Sequence, residues 1–114
     1  PVMSYGVMGG DMQPQGHMQT LVRMLDYKQH PQAACDAPRW RFNAGSVNLE
    51  PGFNPAAAQT LKDMGHRVLG FDDSYQDYGA GQFIWRLDEG LGDVSVRGYA
   101  AASDPRRDGQ AAGY

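Results

Sequence analysis

Apolar and aromatic positions from Val2 to Val7 form a short run that stops at Gly9-Gly10, which predicts a strand followed by a turn. The spacing then widens. Met18, Leu21, Val22 and Leu25 fall at i, i+3, i+4 and i+7, predicting a helix near 15–27 with those four as its core face and Gln19, Arg23 and Asp26 outside it. A short second helix is predicted to start at Pro31 and to cover Gln32 to Asp36, ending before Pro38 because the residue preceding a proline avoids the helical region. Trp40 to Phe42 and Ser46 to Leu49 read as strands around an Asn43-Ala44-Gly45 turn. In "NPAAAQTLKDMG", Asn54 is an N-cap, Pro55 the first helical residue and Gly65 the position just past the end, so a helix spans 54–64. Val68 to Phe71, Gln82 to Leu87 and Val94 to Ala100 read as further strands, the last two joined by the turn-rich "DEGLGD". Residues 72–81 lack a period and read as a loop, and Ser103 to Tyr114 as a polar, glycine-rich tail. The order is β-α-α-β-β-α-β-β-β, without internal repeats.

Composition narrows what such a chain does. A length of 114 residues is one domain with a single core, and 41% hydrophobic with 20% charged residues is the balance of a soluble globular protein rich in turns. A net charge of −3, with only Arg106 and Arg107 adjacent among the lysines and arginines, provides no field for nucleic acid. No apolar run of membrane-spanning length and no signal-like segment occurs, and a single cysteine, Cys35, does not diagnose a compartment. Localisation stays open. The chain starts at Pro1 instead of Met.

The glycine pair between strand and helix carries the candidate chemistry. Glycine lets backbone approach a ligand with no Cβ in the way, and the first amides of a helix lack intrahelical acceptors. Together they suit an anion, either a phosphate or carboxylate or the oxyanion of an acyl-transfer intermediate. A tight turn with no ligand is the plain alternative, since "GVMGGDMQ" is neither a GxGxxG nor a P-loop.

Three separated motifs go further. "GGDMQPQGHMQTLVRMLDYKQHPQAACDAPRWRF", "EPGFNPAAAQTLKDMGHRV" and "AASDPRRDGQAAGY" follow one another in an order and spacing that resembles the C-terminal part of the γ-glutamyltransferase family, over nearly the whole chain. The resemblance implies an α/β fold, the C-terminal portion of an αββα N-terminal-nucleophile hydrolase sandwich, with the helices near 15–27 and 54–64 on one outer layer. It implies that Gly9 and Gly10 supply oxyanion-hole amides, followed by Asp36-Ala37-Pro38-Arg39 and by a tail of Ser103-Asp104-Pro105-Arg106 and Ala112-Gly113-Tyr114. The family's nucleophile is a threonine exposed by self-cleavage, acting with its own α-amine. Thr20 and Thr60, the only threonines, lie inside predicted helices. The chain is therefore expected to be the C-terminal part of the small subunit, inactive alone, with a γ-glutamyl donor such as glutathione as the parent's substrate and the rest of the parent polypeptide as its partner. In "DMQPQGHMQ" the sequence is more polar than the family's usual aliphatic stretch, resembling a γ-glutamyltransferase-like branch.

The other candidates have plain explanations. His17, His30, His66 and Cys35 lack metal-ligand spacing, so no metal and no cofactor are expected. Met12, Met18, Met24 and Met64 read as core or boundary residues. Asp72, Asp73 and Asp77 form either a cation cluster or a solvated acidic loop, and the loop is favoured. Arg39, beside Trp40 and Arg41, and Arg106 are read as mainly structural. Two rival functions are a non-catalytic interaction module and a tautomerase using the Pro1 amine as base at the head of a buried strand. Without upstream strands, the apolar faces of "FIWRL" and "VSVRGYAA" are expected to drive self-association.

Overall fold

A computed structural model of the chain describes residues 1–70, 78–87 and 98–113. It is mixed α/β. The elements are β1 (Met3–Met8), a 3₁₀ turn (Gly10–Met12), α1 (Gln13–Leu25), α2 (Pro31–Asp36), β2 (Trp40–Asn43), β3 (Ser46–Leu49), α3 (Pro55–Asp63), β4 (Val68–Gly70), β5 (Ala80–Arg86) and β6 (Tyr99–Ser103). Among the described residues these strands make two three-stranded sheets. In the first, β5 lies between β1 and β6 and is antiparallel to both. In the second, β3 lies between β2, its antiparallel hairpin partner, and β4, to which it runs parallel. A parallel pair needs a crossover, and α3 supplies it.

The core lies between the first sheet and the helices on one of its faces. Alternation along β5 turns Phe83 and Trp85 inward and leaves Gln82 and Ile84 exposed. Val7, Met24, Ala34, Cys35, Phe83, Trp85 and Ala102 form the buried cluster, with Tyr5 stacked on Phe83 at 5.6 Å between ring centroids. The helices α1 and α2 pack on this sheet, whereas α3 packs against β4 of the second. The two longer helices thus serve different sheets.

Local rules define α3 well: the Asn54 side chain accepts from the Ala56 amide at 2.9 Å, Pro55 opens the helix, and Gly65 follows it at φ +90°. By contrast, α1 occupies the predicted place but turns the other face inward. Its buried residues are Gly16, Gln19, Thr20 and Met24, while Met18 and Leu25 are 45% and 48% exposed. The inward face meets strand backbone as well as apolar side chains, and backbone demands polar partners. Thus the buried Gln19 side chain donates to the Trp40 carbonyl at 2.8 Å and accepts from the Trp40 amide at 3.0 Å.

Strand limits also differ from the sequence reading, by one residue at β1 and β2 and by more at the last two strands. The strand β5 starts at Ala80, not Gln82, because the glycines of Gly79-Ala80-Gly81 permit close packing where they suggest a loop. A Cβ on Gly79 would collide with the Met8 carbonyl oxygen, and one on Gly81 would lie 2.6 Å from the Phe83 ring. The last strand runs Tyr99–Ser103, later than predicted. Residues 71–77, 88–97 and 114, and with them Asp72, Asp73, Asp77, most of the predicted 72–81 loop, the "DEGLGD" turn, the first part of the predicted last strand and Tyr114, lie outside the described residues.

The β2–β3 hairpin closes through Ala44 and Gly45 alone, with Asn43 paired to Ser46 and with φ of +48° and +75° at the two turn residues. Positive φ at both central positions is the type I′ pattern, which favours Asn-Gly. Alanine is strained there. Ala44→Asn is expected to raise stability by about 0.5–1 kcal/mol, checked by urea denaturation; a variant with an unchanged or lower midpoint would contradict this turn assignment.

Candidate functional site

The strand β1 ends at Met8, and the next two residues redirect the chain into a helix. Gly9 has φ +145° and Gly10 φ +56°, both in the region that side chains rarely adopt. The first bond of the 3₁₀ turn runs from the Met12 amide to the Gly9 carbonyl at 3.0 Å, so the amides of Gly9, Gly10 and Asp11 come before any helical acceptor. The two glycines answer to different constraints. A Cβ on Gly9 would sit 2.9 Å from the Gly79 Cα, so backbone packing requires its absence. A Cβ on Gly10 would meet open space, so at this exposed position only the dihedral angle calls for glycine. The junction is exposed glycine backbone at the start of a helical turn.

Behind the junction lies a buried ionic network built from the other two motifs. Arg39 is 1% exposed and Asp104 fully buried, and they meet at 2.7 Å. The Arg39 guanidinium also donates to the carbonyls of Tyr78 and Gly79, at 2.9 and 3.2 Å, and Gly79 is the residue against which Gly9 packs. Asp104 Oδ2 accepts the Gly81 amide at 2.7 Å, and Oδ1 accepts the Arg106 amide at 3.0 Å and Nη1 at 2.9 Å. Arg106 clamps Glu50 through Nε and Nη2, each at 2.5 Å, and donates to the carbonyls of Cys35 and Ala37. Glu50 in turn accepts the Arg39 amide at 2.7 Å. Both motif arginines are thus structural. Glu50, which the sequence reading passed over, completes the network; its one signal was an acid directly after a strand, before Pro51.

Charge states follow from this geometry. Burial alone would raise the Asp104 pKa, but Arg39, the Gly81 and Arg106 amides and the Arg106 guanidinium outweigh it and hold the carboxyl below its ordinary 3.8. Burial would lower the Arg106 pKa, yet Glu50 and Asp104 hold it above its ordinary value. Burial pushes the Cys35 thiol up to about 12, with the Asp104 charge adding to it. Its Sγ lies 3.6 Å from both the Gly81 carbonyl and Asp104.

The remaining candidates scatter. No group of three or more His, Cys, Asp or Glu side chains suited to a metal ion occurs among the described residues. His17 accepts the Val7 amide at 2.8 Å, and His30 caps α2 by accepting the Gln32 amide at 3.2 Å. Both threonines lie inside helices, Thr20 in α1 and Thr60 in α3, with their hydroxyls bonded to carbonyls one turn back. Pro1 is exposed and precedes β1, so it lacks the burial that a proline base requires. No helix among the described residues is long and apolar enough to cross a membrane.

The family model for gamma-glutamyltranspeptidase matches residues 1–114. The chain belongs to the gamma-glutamyltranspeptidase family. It is 34% identical to the glutathione hydrolase-like YwrD proenzyme of Bacillus subtilis strain 168, over 99% of its own length and 21% of that protein's. It is also 34% identical to the oxamate amidohydrolase proenzyme of Klebsiella pneumoniae, with the same coverage. Among solved structures, the cephalosporin acylase of Bacillus halodurans superposes with a TM-score of 0.82 at 42% identity, over 96% of this chain and 19% of the acylase. The chain spans about a fifth of the length of these relatives. Its structural neighbours are N-terminal-nucleophile hydrolases of this family, and family members are enzymes.

Removing one partner of a buried ion pair leaves the other uncompensated. Asp104→Ala is therefore expected to destabilise the protein by about 3–5 kcal/mol, read by thermal or urea denaturation; a loss under about 1 kcal/mol would place Asp104 among weak surface pairs. Because the folded pKa of Asp104 is depressed, its contribution is fully present above pH 3.8 and is lost as pH falls through the lower folded value, a midpoint shift that the Asp104→Ala variant should lack. Cys35 should resist 5,5′-dithiobis(2-nitrobenzoic acid) at neutral pH in the folded protein and react with one equivalent after denaturation. Rapid labelling of the native protein would contradict its burial.

Proposed function

We propose that this chain is the C-terminal part of the small subunit of a γ-glutamyltransferase-like amide hydrolase, acting through an acyl-enzyme on a threonine upstream of β1, and that Gly9 and Gly10 donate their amides to the oxyanion. In the step they serve, the threonine oxygen attacks the substrate's amide carbonyl and gives up its proton to the threonine's own α-amine. The carbonyl oxygen gains negative charge, which the two amides stabilise. The tetrahedral centre then expels the amine, which leaves with that proton, and water or an acceptor amine releases the acyl group. Each such donor contributes about 3 kcal/mol to the transition state.

The observation that carries this reading is the pair of consecutive positive-φ glycines at a strand-to-helix junction, with free space in front of Gly10. The donor is a γ-glutamyl compound such as glutathione on the strength of the family. A second reading, a different small amide as substrate, is favoured by relatives named for oxamate and cephalosporin. The exposed, outward-facing Val2, Ile84 and Tyr99 support self-association of the isolated 114-residue chain as a further part of the proposal.

In a polypeptide extended to the length of the relatives, Gly10→Val should lower kcat about 10²-fold or more, with a much smaller change in thermal midpoint. The panel is γ-glutamyl-p-nitroanilide, glutathione, oxamate and an acylated cephalosporin. The substrate with the highest kcat/KM decides between the two readings, and the isolated chain should turn over none of them. Full kcat in the Gly10→Val enzyme would return the pair to a plain tight turn. Light scattering that gives a monomer at all concentrations would remove the self-association.

A further inference from the structure

Every polar side chain on the inner side of the first two turns of α1 is bonded to strand backbone or to the helix itself. Gln15 and Gln19 are one helical turn apart, and each forms a two-point amide bond with one residue of β2. Gln15 donates to the Phe42 carbonyl at 3.1 Å and accepts the Phe42 amide at 2.7 Å. Gln19 does the same to Trp40, at 2.8 and 3.0 Å, and also donates to the Gln15 carbonyl at 3.1 Å. The spacing fits because four residues of helix advance about 6 Å and two residues of strand about 6.6 Å. Since β2 is an edge of the second sheet among the described residues, the two glutamines stand where the next strand would be. His17, between them, accepts the amide of Val7 on β1, an edge of the first sheet, at 2.8 Å. Gly16 brings the helix close to that strand, since a Cβ there would lie 2.7 Å from Val7 Cγ1.

Resting on the oxyanion reading, we propose that Gln15 and Gln19 are positioning residues for the reaction: by docking α1 on the edge of β2 they fix the place of the Gly9-Gly10 amides, which open into the same helix. Neither glutamine touches substrate. Each restrains the helix at a second sheet, while His17 and Gly16 restrain it at the first, so the glycine junction is held from both sides. An oxyanion donor works only near its productive position, and a displacement of about 1 Å costs about 10²-fold in rate. Leucine matches glutamine in bulk but can neither donate nor accept, so it removes the docking while filling the space.

The test uses the polypeptide extended to the length of its relatives, with γ-glutamyl-p-nitroanilide as substrate and acylation sites counted by the initial burst. Rates per titrated site exclude loss of folded enzyme, the result that a purely structural role would give. Gln19→Leu should lower kcat per site about 10²-fold with KM changed less than about threefold, and the half-buried Gln15→Leu about 10-fold. Gln19→Glu provides a second handle that keeps the side-chain length. As a carboxylate it faces the Trp40 carbonyl with no proton to donate, whereas protonation restores the donor, so its kcat relative to the unsubstituted enzyme should rise as pH falls toward the glutamate range near 4.3. Wild-type kcat per site in Gln15→Leu and Gln19→Glu, with no pH-dependent ratio, would overturn the positioning role. Gly10→Val in the same polypeptide separates the two failures: if it abolishes turnover while the glutamine variants do not, only the positioning role falls, and if it retains full kcat, the oxyanion reading itself fails.

Discussion

The contact on which the rest of the molecule depends is the buried pair of Arg39 and Asp104, 65 residues apart in sequence and 2.7 Å apart in space. Two charges taken out of water gain little from each other unless further hydrogen bonds compensate for their lost hydration, and in this pair they do so at every group but the buried Arg39 Nε. Here the partners are backbone groups from several parts of the chain: the Tyr78 and Gly79 carbonyls on one side, and the Gly81 and Arg106 amides on the other. Arg106 extends the set to Glu50 and to the end of α2. The network is therefore a fastener between segments that no local rule would bring together. Through Gly79 it also reaches the site, because that residue is both held by Arg39 and packed on Gly9.

A second fastener works on sheet edges. An edge strand exposes a row of amides and carbonyls that invite further pairing, and small sheets have proportionally more edge. Among the described residues β1 is an edge of one sheet and β2 of the other, and the start of α1 caps both: His17 takes an amide of β1, and Gln15 and Gln19 take the free groups of β2. The polar character of "DMQPQGHMQ" follows from that duty. Gln15, His17 and Gln19 face backbone, and the price of aliphatic residues in their places would be unsatisfied hydrogen-bonding groups.

What could be read from the sequence divides along the same line. The helix α3 was fully legible because its signals, Asn54, Pro55 and Gly65, act within a turn of where they stand. The glycine junction was legible from the change of period around it, and the family from the order of three motifs. The inward face of α1 was not legible, since an apolar stripe of Met18, Leu21, Val22 and Leu25 satisfies the periodic test while the buried side is chosen by hydrogen bonds to residues of one strand, 21 and 27 positions away. Glu50 was missed for a like reason: its partner Arg106 is 56 residues distant. Glycines misled at β5, where a missing Cβ serves close packing and not a turn.

These contacts bear on how specificity is divided within the family. The charged groups of the buried network, Arg39, Asp104, Arg106 and Glu50, are committed to one another or to backbone, so they have no charge left to offer an acyl group. On the proposed oxyanion role, what the segment offers at the exposed Gly9 and Gly10 is main chain, and main-chain amides recognise a carbonyl oxygen without regard to what the carbonyl is attached to. A scaffold of this kind suits any amide whose cleavage passes through an oxyanion. Proteins named for quite different substrates then have reason to share it.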